Sequence, residues 1–263
     1  MNIGFIGTGN MGGAMIDGIL SSQMVTPSQV YVSDISETAL EKYQKKGIHT
    51  STDNQMTASR ADIIFLTVKP QFYESVLSDL KDFSQKIYVT VAPGITTEFL
   101  RSALSPDTKV VRTMPNTPAL VGEGVTAVCR GENLTDSEYE TVKKLIAAFS
   151  EIHEMEEALM DAVISVSGSS PAYVYMMIDA IAKSGERQGI PYETALRMAG
   201  KTVLGAAKLL LSSADSAETL IDKVCSKGGT TIEAVNHLKD HNFYKLIDDA
   251  MVECTRRALE LKK

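Results

Sequence analysis

A chain of 263 residues is longer than one hydrophobic core usually sustains and long enough for two modest domains. Its 44% hydrophobic and 22% charged residues read as a globular protein, and a formal net charge of −7 argues against nucleic acid and anionic membrane as partners, since both reward clustered Lys and Arg. No run approaches the roughly 20 apolar residues that cross a bilayer. The first residues also carry no basic leader segment, so the expected location is the cytoplasm. Cys129, Cys225 and Cys254 are odd in number and far apart, which fits a reducing compartment. His49, His153, His237 and His241 complete no ligand pattern, and no metal is expected.

Ile3, Phe5 and Ile6 predict a short buried strand near the N-terminus. Gly7, Gly9 and Gly12 follow as G-x-G-x-x-G, and Met15, Ile16, Ile19 and Leu20 continue with helical spacing. In a dinucleotide site the first glycine allows a tight turn. The second admits a pyrophosphate to the backbone, and the third lets the helix pack close to the strand. The anion would sit on free N–H groups at a helix start near Asn10. The motif alone is weak evidence; a strand before it, a helix after it and a second strand further on give it weight. That second strand, Val30 to Ser33, ends in Asp34, about 20 residues past Gly12, where a fingerprint acid bonds ribose hydroxyls and repels the extra phosphate of NADP. Asp34 equally suits a cap for the helix expected over 37–46, a task that Ser36 can also perform.

The run 61–68 is continuously apolar apart from Asp62 and Thr67 and stops at Lys69-Pro70, as a strand buried on both faces should. Ile87 to Val91 repeats the pattern before Ala92-Pro93-Gly94, and Lys109 to Arg112 does so before Met114-Pro115-Asn116-Thr117-Pro118. Open α/β sheets bind ligands at the carboxyl ends of their strands, so these Pro-containing loops read either as cleft walls or as plain turns. Val125 to Val128 predicts another strand. Thr135 and Glu138 form a capping box for a helix to about Phe149, and 151–155 reads as a last strand. Beyond Glu156 only helical spacing remains, at Leu159, Val163, Ile164, then Tyr173, Met176, Met177, Ile181, then Leu204, Ala207, Leu211. The expected architecture is an α/β domain over 1–157 and an all-α domain over 158–263. The apolar arcs of the helices are wide enough to predict packing against a second subunit.

Two stretches interrupt the helical half. Pro171, in Ser167-Gly168-Ser169-Ser170-Pro171, is expected to break or kink a helix. Ser226-Lys227-Gly228-Gly229-Thr230-Thr231 precedes a helix and offers free N–H groups and two hydroxyls to a small carboxylate; it reads equally as a helix start capped by Thr230 or Thr231.

With these motifs assembled, the chain resembles the pyrroline-5-carboxylate reductases, which perform the last step of proline synthesis. The resemblance runs nearly end to end. It rests on the segment from Gly4 to Gly12, Val68-Lys69-Pro70-Gln71, Ala92-Pro93-Gly94-Ile95, the segment from Arg112 to Pro118, Gly168-Ser169-Ser170-Pro171-Ala172-Tyr173 and 226–231. It departs from the family at Lys227, where Pro is usual, and at Ser170, where Gly is usual.

The resemblance implies a Rossmann-like domain followed by a helical dimerisation domain, assembling as a homodimer and in some members a decamer. It implies NADPH or NADH as coenzyme, touching Ile6, Gly7, Thr8, Gly9, Asn10, Met11 and Gly12. Ser33, Asp34, Asn54, Val68, Lys69, Pro70, Ala92, Pro93 and Gly94 complete the implied coenzyme contacts. Ser226, Gly228, Gly229, Thr230 and Thr231 would hold the substrate, with the Thr231 hydroxyl facing the imine nitrogen.

The chemistry leads to the same class. Alcohol oxidation needs a base or metal for the hydroxyl proton. The hydroxyacid dehydrogenases that resemble the N-terminal half place a Lys on the first helix of their second domain, yet no Lys lies between Lys144 and Lys183. A cyclic imine is basic enough to take its proton from a hydroxyl or water, so the site has mainly to hold it in reacting geometry. The alternatives are a reductase or dehydrogenase of another small imino or hydroxy acid, and a non-catalytic coenzyme sensor.

Overall fold

The computed structural model describes all residues from Met1 to Lys263, in two compact units. The first comprises Met1–Ser169 with Cys254–Lys263, the second Ser170–Glu253. The division falls later than the end of the strand pattern, and it returns the last residues of the chain to the first unit.

The first unit is built on eight strands: β1 (Ile3–Ile6), β2 (Val30–Ser33), β3 (His49–Ser51), β4 (Ile63–Leu66), β5 (Ile87–Thr90), β6 (Lys109–Met114), β7 (Gly124–Arg130) and β8 (Ser150–Glu154). Their order is β3-β2-β1-β4-β5-β6-β7-β8. Six are parallel; β7 runs antiparallel to β6, and β8 follows β7 in parallel. Every residue of β1, β4 and β5 is buried, which explains their unbroken apolar runs. Successive side chains part to opposite faces. Ile63 and Phe65 join one core with α1 (Asn10–Ser21), α2 (Glu37–Gln44) and α6 (Asp136–Ala147). Ile64 and Leu66 join another with α3 (Asn54–Arg60), α4 (Tyr73–Asp79) and α5 (Thr97–Ala103). Phe5 and Phe65 stack across β1 and β4 with centroids 4.8 Å apart. The switch in strand order therefore falls between β1 and β4, at whose carboxyl ends the glycine turn sits.

Helix starts follow their capping residues: Ser36 for α2, Asp53 for α3, Thr96 for α5, and the Thr135–Glu138 capping box for α6. After β8 the chain enters α7 (Met160–Val163) and a π-helical turn (Ile164–Gly168). The turn leads into α8 (Ser170–Arg187), the first helix of the second unit. The helical run breaks at Ser169, as expected, and Pro171 stands in the first turn of the new helix α8, where a missing N–H costs little. An uninterrupted helix would pair the Ser167 carbonyl with residue 171; the Asn116 amide donates to that carbonyl at 3.2 Å instead.

The second unit contains α8, α9 (Tyr192–Ser212), α10 (Ala217–Val224), α11 (Thr230–Asp240) and most of α12 (Phe243–Glu260). Within Ser170–Glu253 only Ala182, Ala195 and Ala199 are buried. Tyr175, Met176, Met198, Leu209, Leu211, Tyr244 and Leu246 are among the large side chains left exposed. Patches of this extent mark an interaction surface.

β6 carries a charge into the core. Arg112 is fully buried, and its guanidinium pairs with Asp161, itself almost buried, and with Glu157 at 3.3 Å. Glu157 also accepts from the N–H (2.8 Å) and hydroxyl (2.6 Å) of Thr97 at the start of α5. The cluster ties the segment between β8 and α8 to the centre of the sheet. Removing one partner of a buried pair leaves the other uncompensated, so Asp161→Ala should lose about 3–5 kcal/mol in urea denaturation. An unchanged midpoint would show that Glu157 alone satisfies Arg112.

Candidate active site at the glycine turn

β1 hands over to the turn through backbone bonds on both sides. The Gly7 N–H donates to the Ser33 carbonyl at 2.8 Å, and the Thr67 N–H donates to the Ile6 carbonyl at 2.9 Å. Gly7 has φ +97°, and a Cβ there would lie 3.0 Å from the Thr67 carbonyl oxygen. A Cβ on Gly12 would lie 2.5 Å from the Gly7 carbonyl oxygen, so only glycine lets α1 approach the turn this closely. At Gly9 nothing lies within 4 Å of the corresponding position. Gly9 and Asn10 are exposed, no side chain caps α1, and no acidic residue occupies its first turn. This helix end has room, free donors and the right dipole for a phosphate, so the residues present fit a dinucleotide.

Thr8 and Asp34 form a unit that spacing alone does not reveal. Asp34 Oδ2 accepts from the Thr8 N–H and hydroxyl, both at 2.7 Å, and Oδ1 accepts from the Ser36 N–H at 3.0 Å. Ser36, not Asp34, caps α2. Burial alone raises the Asp34 carboxyl. Hydrogen bonds from the Ser36 N–H, from Thr8 and from the Ile35 N–H outweigh it and hold the carboxyl below the usual aspartate value. Asp34 is therefore an anionic brace across the glycine turn, whatever else it touches.

The other expected residues divide into surface and support. Met11, Val68 and Pro70 are half-buried and Lys69 is exposed along the same sheet edge, while the side chain of Ile6 is buried. Ser33 is fully buried and spends its hydroxyl on Asn54 Oδ1 at 2.8 Å; Asn54 Nδ2 in turn donates to Asp79 at 3.0 Å. Ala92 and Gly94 are buried and Pro93 is half-buried, in the loop at the carboxyl end of β5. Thr67 went unsuggested by the sequence. Its hydroxyl donates to the Gly7 carbonyl at 2.6 Å and clamps the turn to β4.

In the second unit, α11 begins at Thr230 with Gly229 as its N-cap. Thr230 and Thr231 are the first two helical residues, so capping does not claim their hydroxyls. Gly228 has φ +70°, and a Cβ on Gly229 would lie 2.3 Å from Ser226 Oγ, which accounts for the paired glycines. Ser226, Lys227, Gly228 and Thr230 are exposed; Gly229 and Thr231 are half-buried.

No other cluster competes chemically. A cleft of about 550 Å³ is lined by Thr97, Cys129, Arg130, Glu132, Tyr139 and Glu154 among others, and by no residue of the glycine turn. Burial, reinforced by Glu157 against the opposing Arg112, pushes the Cys129 thiol up to about 11, which leaves it protonated and a poor nucleophile. No group of three or more His, Cys, Asp or Glu side chains is arranged to hold a metal.

Comparison with known proteins decides the family. A model described as pyrroline-5-carboxylate reductase dimerisation matches residues 157–261, and one described as NADP oxidoreductase, coenzyme F420-dependent, matches residues 2–94. A pyrroline-5-carboxylate reductase of Escherichia coli K12 is 39% identical over 99% of this chain and 98% of its own. The chain belongs to the pyrroline-5-carboxylate reductase family. The solved structure of a family member from Coxiella burnetii, 32% identical, superimposes with a TM-score of 0.92 over 100% of this chain and 98% of its own. The Plasmodium falciparum pyrroline carboxylate reductase, solved with NADP bound, is 26% identical with a TM-score of 0.91 over 100% of this chain and 98% of its own. As a member of this family the chain is an NAD(P)H-dependent oxidoreductase with a Rossmann-like domain and a helical dimerisation domain.

The Asp34 brace has a signature in pH. Its folded-state pKa lies below the unfolded value, so it adds stability above about pH 4 and loses it as pH falls through the folded value. Asp34→Asn should therefore unfold at lower urea than the parent near neutrality, with the gap closing as pH falls below the ordinary aspartate value. A gap independent of pH would mean that Thr8 does not bind the anion.

Proposed function

We propose that the chain reduces 1-pyrroline-5-carboxylate to L-proline, with 1–157 as the coenzyme domain and 158–263 as the dimerisation and substrate domain of a cytoplasmic homodimer. The observation that carries the substrate assignment is the start of α11, where Gly229 takes the cap and leaves two threonine hydroxyls uncommitted. NADPH or NADH, when bound, supplies the hydride. The N–H groups of Gly229, Thr230 and Thr231 hold the substrate carboxylate at the positive end of α11. The Thr231 hydroxyl faces the imine nitrogen and helps to protonate or orient it. Gly7, Thr8, Gly9, Asn10, Met11 and Gly12 present the backbone to the pyrophosphate, and the Thr8–Asp34 brace keeps that backbone in place. Val68, Lys69, Pro70, Ala92 and Pro93 form the neighbouring walls, while Ile6, Ser33 and Asn54 support them from below. No helix is long and apolar enough to cross a membrane.

Purified protein mixed with NADPH and 1-pyrroline-5-carboxylate should oxidise the coenzyme and yield proline; oxidation only with another imino acid or with a keto acid would reassign the substrate. Thr231→Val keeps β-branching but removes the hydroxyl. It should lower kcat about 10²-fold, the low end for positioned acid–base groups because water partly substitutes. Thr230→Val should cost less, and wild-type kinetics in Thr231→Val would leave water as the proton source.

On this reading Asp34 also repels the extra phosphate of NADPH, although the Thr8 N–H and hydroxyl and the Ser36 N–H already engage its oxygens. Asp34→Ser should raise the NADPH/NADH ratio of kcat/KM. Equal losses with both coenzymes would confine Asp34 to bracing the turn. Light scattering should show a dimer with no monomer at micromolar concentration, through an interface of about 2,000 Å² or more; a decamer would mean that dimers assemble further.

A further inference from the structure

The residues after α12 return to the sheet and lie on the loop 92–94. The Lys263 N–H donates to the Gly94 carbonyl at 2.7 Å, and the Thr96 hydroxyl donates to the Lys263 carbonyl at 2.8 Å. The same hydroxyl accepts from the Phe99 N–H at 3.0 Å, so one side chain both caps α5 and fastens the returning segment. Gly94 has φ +73°, and a Cβ there would lie 2.5 Å from the Leu261 carbonyl oxygen, so the two backbones meet only because residue 94 is glycine. Lys263 Nζ reaches Glu74, in the first turn of α4, at 2.7 Å. Lys262 Nζ lies 3.5 Å from Asp161 of the buried arginine cluster.

We propose that residues 261–263 are a strap that positions the coenzyme loop 92–94, with Gly94 and Thr96 as its anchors. This rests on the reading that Ala92 and Pro93 face the coenzyme. The loop leaves β5 at the edge where β1 and β4 deliver the glycine turn and Thr67, and it turns through a left-handed residue. One backbone bond, with the Thr96 hydroxyl beside it, joins the loop to a strap whose lysines reach α4 and Asp161. A loop ordered before the coenzyme arrives loses less freedom on binding, which appears as affinity. Linkage makes the effect reciprocal: if the strap favours the coenzyme-bound loop, bound coenzyme tightens the strap by the same factor.

Two measurements test this. Deleting 261–263 should raise the Kd for NADPH, read from nicotinamide fluorescence, about five- to tenfold, while kcat at saturating NADPH stays within about twofold. Lys263→Ala keeps both backbone bonds and should raise Kd by less than about twofold. In the unaltered protein, saturating NADPH should slow hydrogen exchange of the Lys263 amide about fivefold or more, a change that a merely structural tail would not show. The exchange measurement decides the matter if the deletion does not fold. A deletion variant with the parent Kd, or exchange at Lys263 indifferent to bound NADPH, overturns the strap alone. Failure of the parent protein to bind NADPH overturns the coenzyme reading beneath it, and the strap with it.

Discussion

The end of β1 is a junction of main-chain hydrogen bonds, and the coenzyme edge of the sheet depends on it. Gly7 takes its partner from β2 through the Ser33 carbonyl, Ile6 gives its carbonyl to Thr67 after β4, and the Thr67 hydroxyl closes on the Gly7 carbonyl. β2 contributes one bond, and Thr67 contributes both its N–H and its hydroxyl, so the turn is held from both sides. That geometry needs φ +97° at Gly7 and contact with α1 at Gly12, and either requirement excludes a side chain. Asp34 adds the polar brace from the carboxyl end of β2. The site is preorganised by backbone and short polar groups, the condition under which helix N–H groups serve an anion at little further cost in order.

A second constraint lies where the sheet reverses. The parallel pattern stops at β6, and β7 returns antiparallel, with Thr113 opposite Val128. The chain must then leave β8 and reach α8 past the covered end of the sheet. Arg112 on β6 makes that exit specific. A buried guanidinium needs carboxylates, and the lead-in segment supplies Glu157 and Asp161. Asn116, a few residues further, donates to the carbonyl that Pro171 cannot serve and accepts from the Val125 N–H at 2.9 Å. The loop after β6 therefore fixes both the start of α8 and the register of β7, two elements that meet nowhere in sequence.

What was legible in the sequence was whatever repeats with the period of an element. The apolar runs of β1, β4 and β5, the glycine spacing and the Thr135–Glu138 box each state their structure locally, and all are present. β3 was not legible. It is a three-residue edge strand, His-Thr-Ser, polar and only partly covered, with no alternation to read. The break before Pro171 was legible, but its partner was not: Asn116, distant in sequence, answers the Ser167 carbonyl left free there. Of the roles left open for Asp34, the cap falls to Ser36, and the contact with Thr8 was not legible. The strap at 261–263 gave no motif at all. One signal was available and unused: Arg112 follows Val110 and Val111 well inside a strand, and a charge buried there must be answered by acids elsewhere in the chain.

The second unit carries the physical reason for the family's dimerisation domain. Its helices bury no side chain larger than alanine among themselves. α8 and α9 approach closely, with Gly185 and Ala195 at a contact tight enough that a Cβ on Gly185 would lie 3.2 Å from that of Ala195, but two helices meeting on small residues enclose little apolar volume. Full burial of one Leu or Met side chain is worth about 1.5–3 kcal/mol, and here those side chains face outward. Ordering the backbone meanwhile costs about 1–2 kcal/mol per residue. A unit with that balance cannot hold its helices in place alone, so its core has to come from association. Folding of the helical half and assembly are then one equilibrium. The stability of the whole should rise with protein concentration, as it does where the folded protomer has no stable existence of its own. The helix that begins at Thr230 belongs to this unit, so the Gly228–Gly229 turn at its start is ordered by the same association that completes the core.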